Sequence, residues 1–302
     1  MPDPSLPSLF PDADPERRFG GLERLYGEGT VARLAAARVA IVGIGGVGCW
    51  AAEALARSGV GMLELIDPDN LVESNINRQI HALDGTLGQA KVTAMAARIR
   101  SIHPQCRVEV VEDFLTPENA AALLCGVDLV VDAIDDVRAK AAIAAHCRQV
   151  RLPLLMAGGA GGKTDPRRIR VEDLARTTQD PLLSKVRACL RREYGFTRES
   201  GKKFGIEAVT SDEPLRRLPA CGTGGGPHGL SCAGYGSSMA MTATIGLFIA
   251  ARALGWLLRL TPAVLRQNDP ERHERAEKKQ APQEGREAWQ EPDGGGHRLP
   301  AA

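Results

Sequence analysis

The chain has 302 residues, 43% of them hydrophobic, enough for one large α/β domain with a sizeable core. Lysine plus arginine number 38 against 37 for aspartate plus glutamate, so net charge points to no polyanion partner, and 4% aromatic content offers no nucleic-acid stacking platform. The seven cysteines are an odd, scattered set without a CxxC pair, which argues against a disulfide framework and a four-cysteine zinc site.

In chain order, residues 1–16 are proline- and aspartate-rich, expected to be disordered, and lack the basic start and apolar core of a secretion signal. A cytoplasmic enzyme is the expectation. Residues 17–34 read as one or two short helices. Their Arg18, Arg24 and Arg33 either cover bound phosphates, within the chain or across a dimer, or decorate a solvated face. Next comes an apolar strand at 39–42, then Gly43, Gly45, Gly46 and Gly48 in GIGGVG, then a helical pattern at 47–57. A second strand over 62–66 ends on Asp67. This is a nucleotide-binding unit. Glycines bring the backbone close to phosphate oxygens, the helix N-terminus aims free N–H groups at them, and the terminal acid can accept hydrogen bonds from ribose. GIGGVG also satisfies the dinucleotide pattern GxGxxG, so ATP and NAD both remain open here.

The passage after Asp67 is long and polar, and it lies at the carboxyl end of a strand, where open α/β sheets bind ligands. Within it Asp69, Asn75, Arg78, Gln79 and Lys91 are all able to bind phosphate, ribose or metal, and Lys91 opens a helix over 92–102. A strand at 107–111, a helix at 117–124 and a strand at 127–134 follow. The last ends in DAIDD, with Asp132 at or in the strand and Asp135 and Asp136 just past it. Asp136 is assigned to capping the helix 137–150, and Asp135 to Mg²⁺, which uses one or two carboxylates plus substrate phosphates. A fifth strand at 153–156 closes on AGGAGGKTDP. This second glycine-rich run has no helical pattern behind it and reads as a tight turn, with a strand at 167–171 beyond.

Residues 182–203 are strongly basic, which suits a polyphosphate backbone or an ordinary solvated helix face. Residues 221–236, with Cys221 and Cys232, read as a mobile covering loop in preference to a metal site. Residues 238–260 form a long apolar helix. Arg252 and several small residues favour a buried core helix over a membrane span. Residues from 263 onward read as a disordered tail, leaving one domain at 17–262.

GIGGVG, LIDPD, SNINRQ, GQAK and DAIDD, in this order and spacing, resemble the ubiquitin-activating-type adenylyltransferases over residues 17–260. That group includes the enzymes that adenylate the sulfur carriers of molybdopterin and thiamine synthesis. RFGGLERLYG, INRQIHAL, GGAGGKTDP, DLARTTQDPL and the missing zinc cysteines resemble one branch, the tRNA threonylcarbamoyladenosine dehydratases of the HesA/MoeB/ThiF family. The resemblance implies an α/β, Rossmann-like ATP-binding domain with a mainly parallel sheet, an antiparallel extension and a C-terminal core helix. It implies that Gly43, Gly45, Gly46 and Gly48 line the ATP phosphates, and that Asp67 binds ribose with Asp69 and Gln79 nearby. Asn75, Arg78 and Lys91 then contact the triphosphate and Asp135 holds Mg²⁺, with Arg78, Lys91 and Asp135 carrying the chemistry. It further implies a tRNA substrate, a homodimer, and relatives linked with a cysteine desulfurase and sulfur-acceptor system. No cysteine stands out as a thioester acceptor. Two other functions share parts of the pattern. One is adenylation of a small carrier protein's C-terminal glycine, and the other is an NAD-binding oxidoreductase or regulator, which leaves Arg78, Lys91 and Asp135 without a role.

Overall fold

A computed structural model describes residues 13–216 and 235–259 of the chain. The segment carrying Cys221 and Cys232 and the tail from 263 onward lie outside the described residues. The elements are α1 (Pro15–Tyr26), α2 (Thr30–Ala35), β1 (Arg38–Val42), α3 (Gly48–Arg57), β2 (Met62–Ile66), α4 (Lys91–Ile102), β3 (Arg107–Val111) and α5 (Ala120–Leu123). They continue with β4 (Leu129–Asp132), α6 (Val137–Val150), β5 (Leu154–Ala157), β6 (Ile169–Asp173), α7 (Pro181–Glu193), β7 (Glu207–Ser211) and α8 (Met239–Leu257).

The strands form one seven-stranded sheet in the order β3-β2-β1-β4-β5-β7-β6. All pairs are parallel except β6–β7. The chain winds outward in one direction from β1 and in the other from β4, so the carboxyl ends of these two strands flank a topological switch point. Side chains alternate across the sheet. Val39 and Ile41 join the core under α3, α4 and α8, while Ala40 and Val42 join the core under α6 and α7. The α/β class, the mainly parallel sheet and the antiparallel extension agree with expectation. α8 is long and apolar enough to cross a membrane, yet half of it is buried. Its Met241, Ile245, Ile249 and Leu257 share a core with Cys49 and Leu55 of α3, so it packs as a core helix.

Several boundaries differ from the sequence reading. The first helix starts at Pro15, inside the stretch read as disordered, because Asp14 caps it by accepting from the amides of Glu16 and Arg17. The helix expected at 117–124 shortens to Ala120–Leu123, and the strand expected at 127–134 to Leu129–Asp132, whose last two expected residues turn into the cavity loop. The strand expected at 167–171 begins later, after a single tight turn at Pro166–Arg168. β7 was not expected. EAVTS carries one branched aliphatic residue and no polar alternation, and becomes a strand because β5 and β6 pair with it.

Candidate active site

A cavity of about 660 Å³ opens at the switch point, within the usual size range of small-molecule sites. One side of it is the glycine turn. Gly43 adopts φ +89°, and a Cβ there would lie 2.8 Å from the carbonyl carbon of Ala133 in the loop after β4. A Cβ on Gly48 would lie 1.8 Å from the carbonyl oxygen of Gly43, so the turn closes only with glycine at both positions. α3 starts at Gly48, directly behind this turn.

The Asp67 carboxylate accepts from the amides of Ile44 at 2.7 Å and Asp69 at 2.9 Å, which ties the end of β2 to the glycine turn. Burial pushes its pKa up, opposed by the nearby Lys91 charge and by these amide bonds. Lys91 is buried, donates to Asp69 at 2.6 Å and lies 3.6 Å from Asp67. The Asp69 side chain is 63% exposed and is the freer of the two carboxylates. Arg78 lays its methylenes over Gly46, and its guanidinium donates to the Ser74 carbonyl at 2.6 Å and to Asn77 at 3.0 Å. Its own carbonyl accepts from the Trp50 indole at 2.9 Å, which joins the polar loop to α3. Asn75 is buried with Oδ1 accepting from the Val72 amide, and Gln79 is buried with an Oε1 that has no partner among the described residues.

On the β4 side, Asp136 caps α6 by accepting from the Ala139 amide at 2.7 Å, as expected from the sequence. Asp132 is fully buried and bound to Lys140 at 2.8 Å, and burial pushes its pKa up against that partner. Asp135, exposed on the cavity wall, is the remaining carboxylate of DAIDD. Among the described residues no three metal-ligating side chains cluster. One open carboxylate beside the glycine turn matches the sparse protein ligation typical of Mg²⁺. The structure thus brings Gly43, Gly45, Gly46, Asp67, Asp69, Asn75, Arg78, Gln79, Lys91 and Asp135 to one cavity, with Gly48 closing the turn behind it.

The family model described as "ThiF family" matches residues 20–285. The chain belongs to the ThiF family. The tRNA threonylcarbamoyladenosine dehydratase of Escherichia coli is 48% identical over 247 residues, covering 79% of this chain and 92% of that protein. The Haemophilus influenzae protein of the same name is 45% identical over 249 residues, covering 81% and 94%. A crystal structure of the Escherichia coli dehydratase in complex with ATP matches with a TM-score of 0.74 at 46% identity, over 80% of this chain and 94% of that one.

This ThiF-family cavity also has supporting and lining residues that the sequence reading missed. Lys140 donates to the Ile134 carbonyl at 3.0 Å as well as to Asp132, and so pins the loop that carries Asp135. The available signal was a lysine four residues after the α6 cap in an alanine-rich helix. Lys163 is buried and donates to the carbonyls of Gln179, Ser211 and Glu213 at 2.8, 3.0 and 2.5 Å. Burial lowers its pKa, opposed by Asp180, Glu213 and Asp212. Asp180 was legible as the Asp-Pro start of a helix, though its bonds to the Gly159 amide and the Thr210 hydroxyl were not.

Two stretches left open between phosphate contact and a solvated face lie apart from the chain's own cavity for most of their length. Arg18 donates to the Ile102 carbonyl at the far end of α4, Arg33 to the Glu28 carbonyl, and neither these nor Arg24 lines the chain's own cavity. The basic stretch 182–203 begins at the cavity but runs away along α7, about 20 Å at 1.5 Å per residue. Arg191 stacks on Phe204 and Arg148 on Phe196 at its remote end. Cys49 and Cys147 are buried, which pushes both thiols up to about 12, and no described cysteine lines the cavity.

Proposed function

We propose that this chain uses ATP to cyclise the threonylcarbamoyl group of N6-threonylcarbamoyladenosine in tRNA. The observation that carries the reading is the 48% identity to the Escherichia coli dehydratase over 92% of its length. A carboxylate is a poor electrophile because its leaving group is oxide. Its oxygen attacks the α-phosphorus of ATP, pyrophosphate leaves, and an acyl-adenylate results whose leaving group is AMP. A nitrogen or oxygen of the same threonylcarbamoyl group then attacks the carboxyl carbon. The carbamoyl N–H proton is released, and AMP departs with the former carboxylate oxygen. The substrate has lost one water in net terms. Ring closure is intramolecular, so orientation supplies much of the acceleration.

In this reading the turn at 43–48 and the N-terminus of α3 receive the phosphates. Asp67 holds the turn in place and binds the ribose, with Asp69 and the unpartnered Gln79 Oε1 beside it as further acceptors. Arg78, Lys91 and Asn75 contact the triphosphate, the two cations stabilising charge that develops on the transferred and departing phosphates. Asp135 would hold Mg²⁺, which when bound neutralises phosphate charge. The exposed Lys185, Arg198, Lys202 and Lys203 serve the tRNA backbone, a substrate consistent with the cytoplasmic expectation. A homodimer belongs to the same reading and is tested by sedimentation.

The deciding experiment is mass spectrometry of tRNA nucleosides after incubation with ATP and Mg²⁺. Loss of one water from threonylcarbamoyladenosine, absent with Asp135→Ala, is the expected result. No mass change, with pyrophosphate exchange stimulated by a carrier protein, would replace the reading with carrier adenylation. Binding of NADH without binding of ATP–Mg²⁺ would replace it with the dinucleotide reading.

A further inference from the structure

The second glycine-rich run forms the wall of the cavity facing the nucleotide turn, and nothing in the phosphate chemistry uses it. Gly158, Gly159, Gly161 and Lys163 all line the cavity, next to Asp180 and Leu182 at the start of α7. The wall is held unusually firmly for a loop. The Gly158 amide donates to the Val209 carbonyl at 2.8 Å and the Gly162 amide to the Gly236 carbonyl at 2.9 Å. Glu213, itself buried, accepts from the amides of Thr164 and Asp165 at 2.8 and 2.9 Å.

One carboxylate joins the three elements that make the wall. Asp180 Oδ1 accepts from the Leu183 amide at 3.0 Å and so caps α7. Its Oδ2 accepts from the Gly159 amide at 2.9 Å and from the Thr210 hydroxyl of β7 at 2.6 Å. A Cβ at Gly158 would lie 2.2 Å from that same Oδ2, so this approach of backbone to carboxylate needs glycine.

The charges on this side are spent. Lys163 gives its ammonium to three carbonyls and Asp180 its carboxylate to three donors, so both charged groups are engaged inside the wall, whose cavity face is otherwise backbone and small side chains. The opposite side, with Arg78, Lys91 and the open glycine turn, is built for phosphate. A wall with no free cation among the described residues and with glycine at its face suits a planar, urea-like group better than a phosphate.

We propose that the wall 158–163 is the subsite for the threonylcarbamoyl group, and that Asp180 is a positioning residue that sets it. This rests on the functional reading given above. Two variants test it. Asp180→Asn keeps an N-cap acceptor for Leu183, since asparagine caps as well as aspartate, but turns an N–H donor toward the Gly159 amide or forfeits the cap. Gly159→Ala adds a methyl group where a Cβ meets nothing nearer than Asp180 Oδ1 at 3.8 Å, so the chain folds around it and the methyl enters open cavity. The measurements are the KM for tRNA bearing threonylcarbamoyladenosine and the Kd for ATP without tRNA. The expected result is a KM raised about tenfold in both variants with ATP affinity within about twofold of the wild type, since the lost contacts are made to one substrate only. Unchanged KM, or ATP affinity falling in parallel with it, overturns the proposal while wild-type turnover keeps the functional reading. A wild-type enzyme that leaves threonylcarbamoyladenosine intact overturns both.

Discussion

Two glycine-rich stretches face each other across the cavity and do opposite work. The turn at 43–48 is followed at once by the N-terminus of α3, and its glycines let the chain fold back until the Gly43 carbonyl would touch a Cβ on Gly48. The stretch at 158–162 leads into no helix. Its backbone is tied down by Asp180, Val209 and Gly236. Composition is nearly the same in the two, and the difference lies in the element that comes after each in the chain and in the side chains that reach it from elsewhere. A glycine run becomes an anion site when a helix start supplies unpaired N–H groups behind it, and a shaped wall when its peptide groups are already partnered.

The largest effect that would sharpen this contrast is expected from Asp135→Ala. Turnover should fall by about a hundredfold or more with ATP binding largely retained, because the Mg²⁺ that this carboxylate would hold would stabilise charge developing in the transition state. Nucleoside mass spectrometry and equilibrium ATP binding read the two halves. Gly48→Ala should come next. The clash at the Gly43 carbonyl should destabilise the fold by about 1–3 kcal/mol and weaken ATP binding about tenfold or more, whereas Gly159→Ala spares ATP. Equal ATP losses in these two variants would break the distinction between turn and wall.

Charge reversal at Lys202 and Lys203 should weaken tRNA binding several-fold and flatten its salt dependence by about one to two phosphate contacts, with ATP affinity untouched. Filter binding across a salt series measures it, and an unchanged slope would remove this surface from the tRNA path. The smallest effect is a control away from both stretches. Glu64 on β2 stands opposite Glu109 on β3, and burial followed by that neighbouring charge pushes its pKa up to about 7 from 4.5. The folded pKa lies above the unfolded one, so the folded chain binds this proton more tightly and stability falls as pH rises from 4.5 through 7. Glu64→Gln should therefore raise the unfolding temperature by about a few degrees at pH 8 and lose that gain near pH 4. A gain of the same size at both pH values would show that the carboxylate charge is not its cause.

Much of the nucleotide side was legible because its parts are contiguous or sit at strand ends. GIGGVG between a strand and a helix, Asp67 closing β2 and DAIDD closing β4 place themselves once strands are assigned to a parallel sheet. The opposing wall was not legible in the same way. Asp180, Thr210 and Glu213 lie 17 to 55 residues from the Lys163 and Gly158 they serve, on elements that meet only because β7 inserts between β5 and β6. The EAVTS segment gave little warning of that strand.

The local pattern of apolar runs, glycines and capping aspartates determined the order of elements, the α/β class and the acids available at the carboxyl edge, since these depend on near neighbours along the chain. Only the tertiary structure decided which of those acids stay free. Asp132 is bound to Lys140 and shut away from the cavity, Asp67 ties the glycine turn to β2 and Asp69 pairs with Lys91, while Asp135 faces the cavity with its carboxylate open. The bond from the Ile44 amide to Asp67 joins segments 23 residues apart, and burial makes such a contact nearly obligatory.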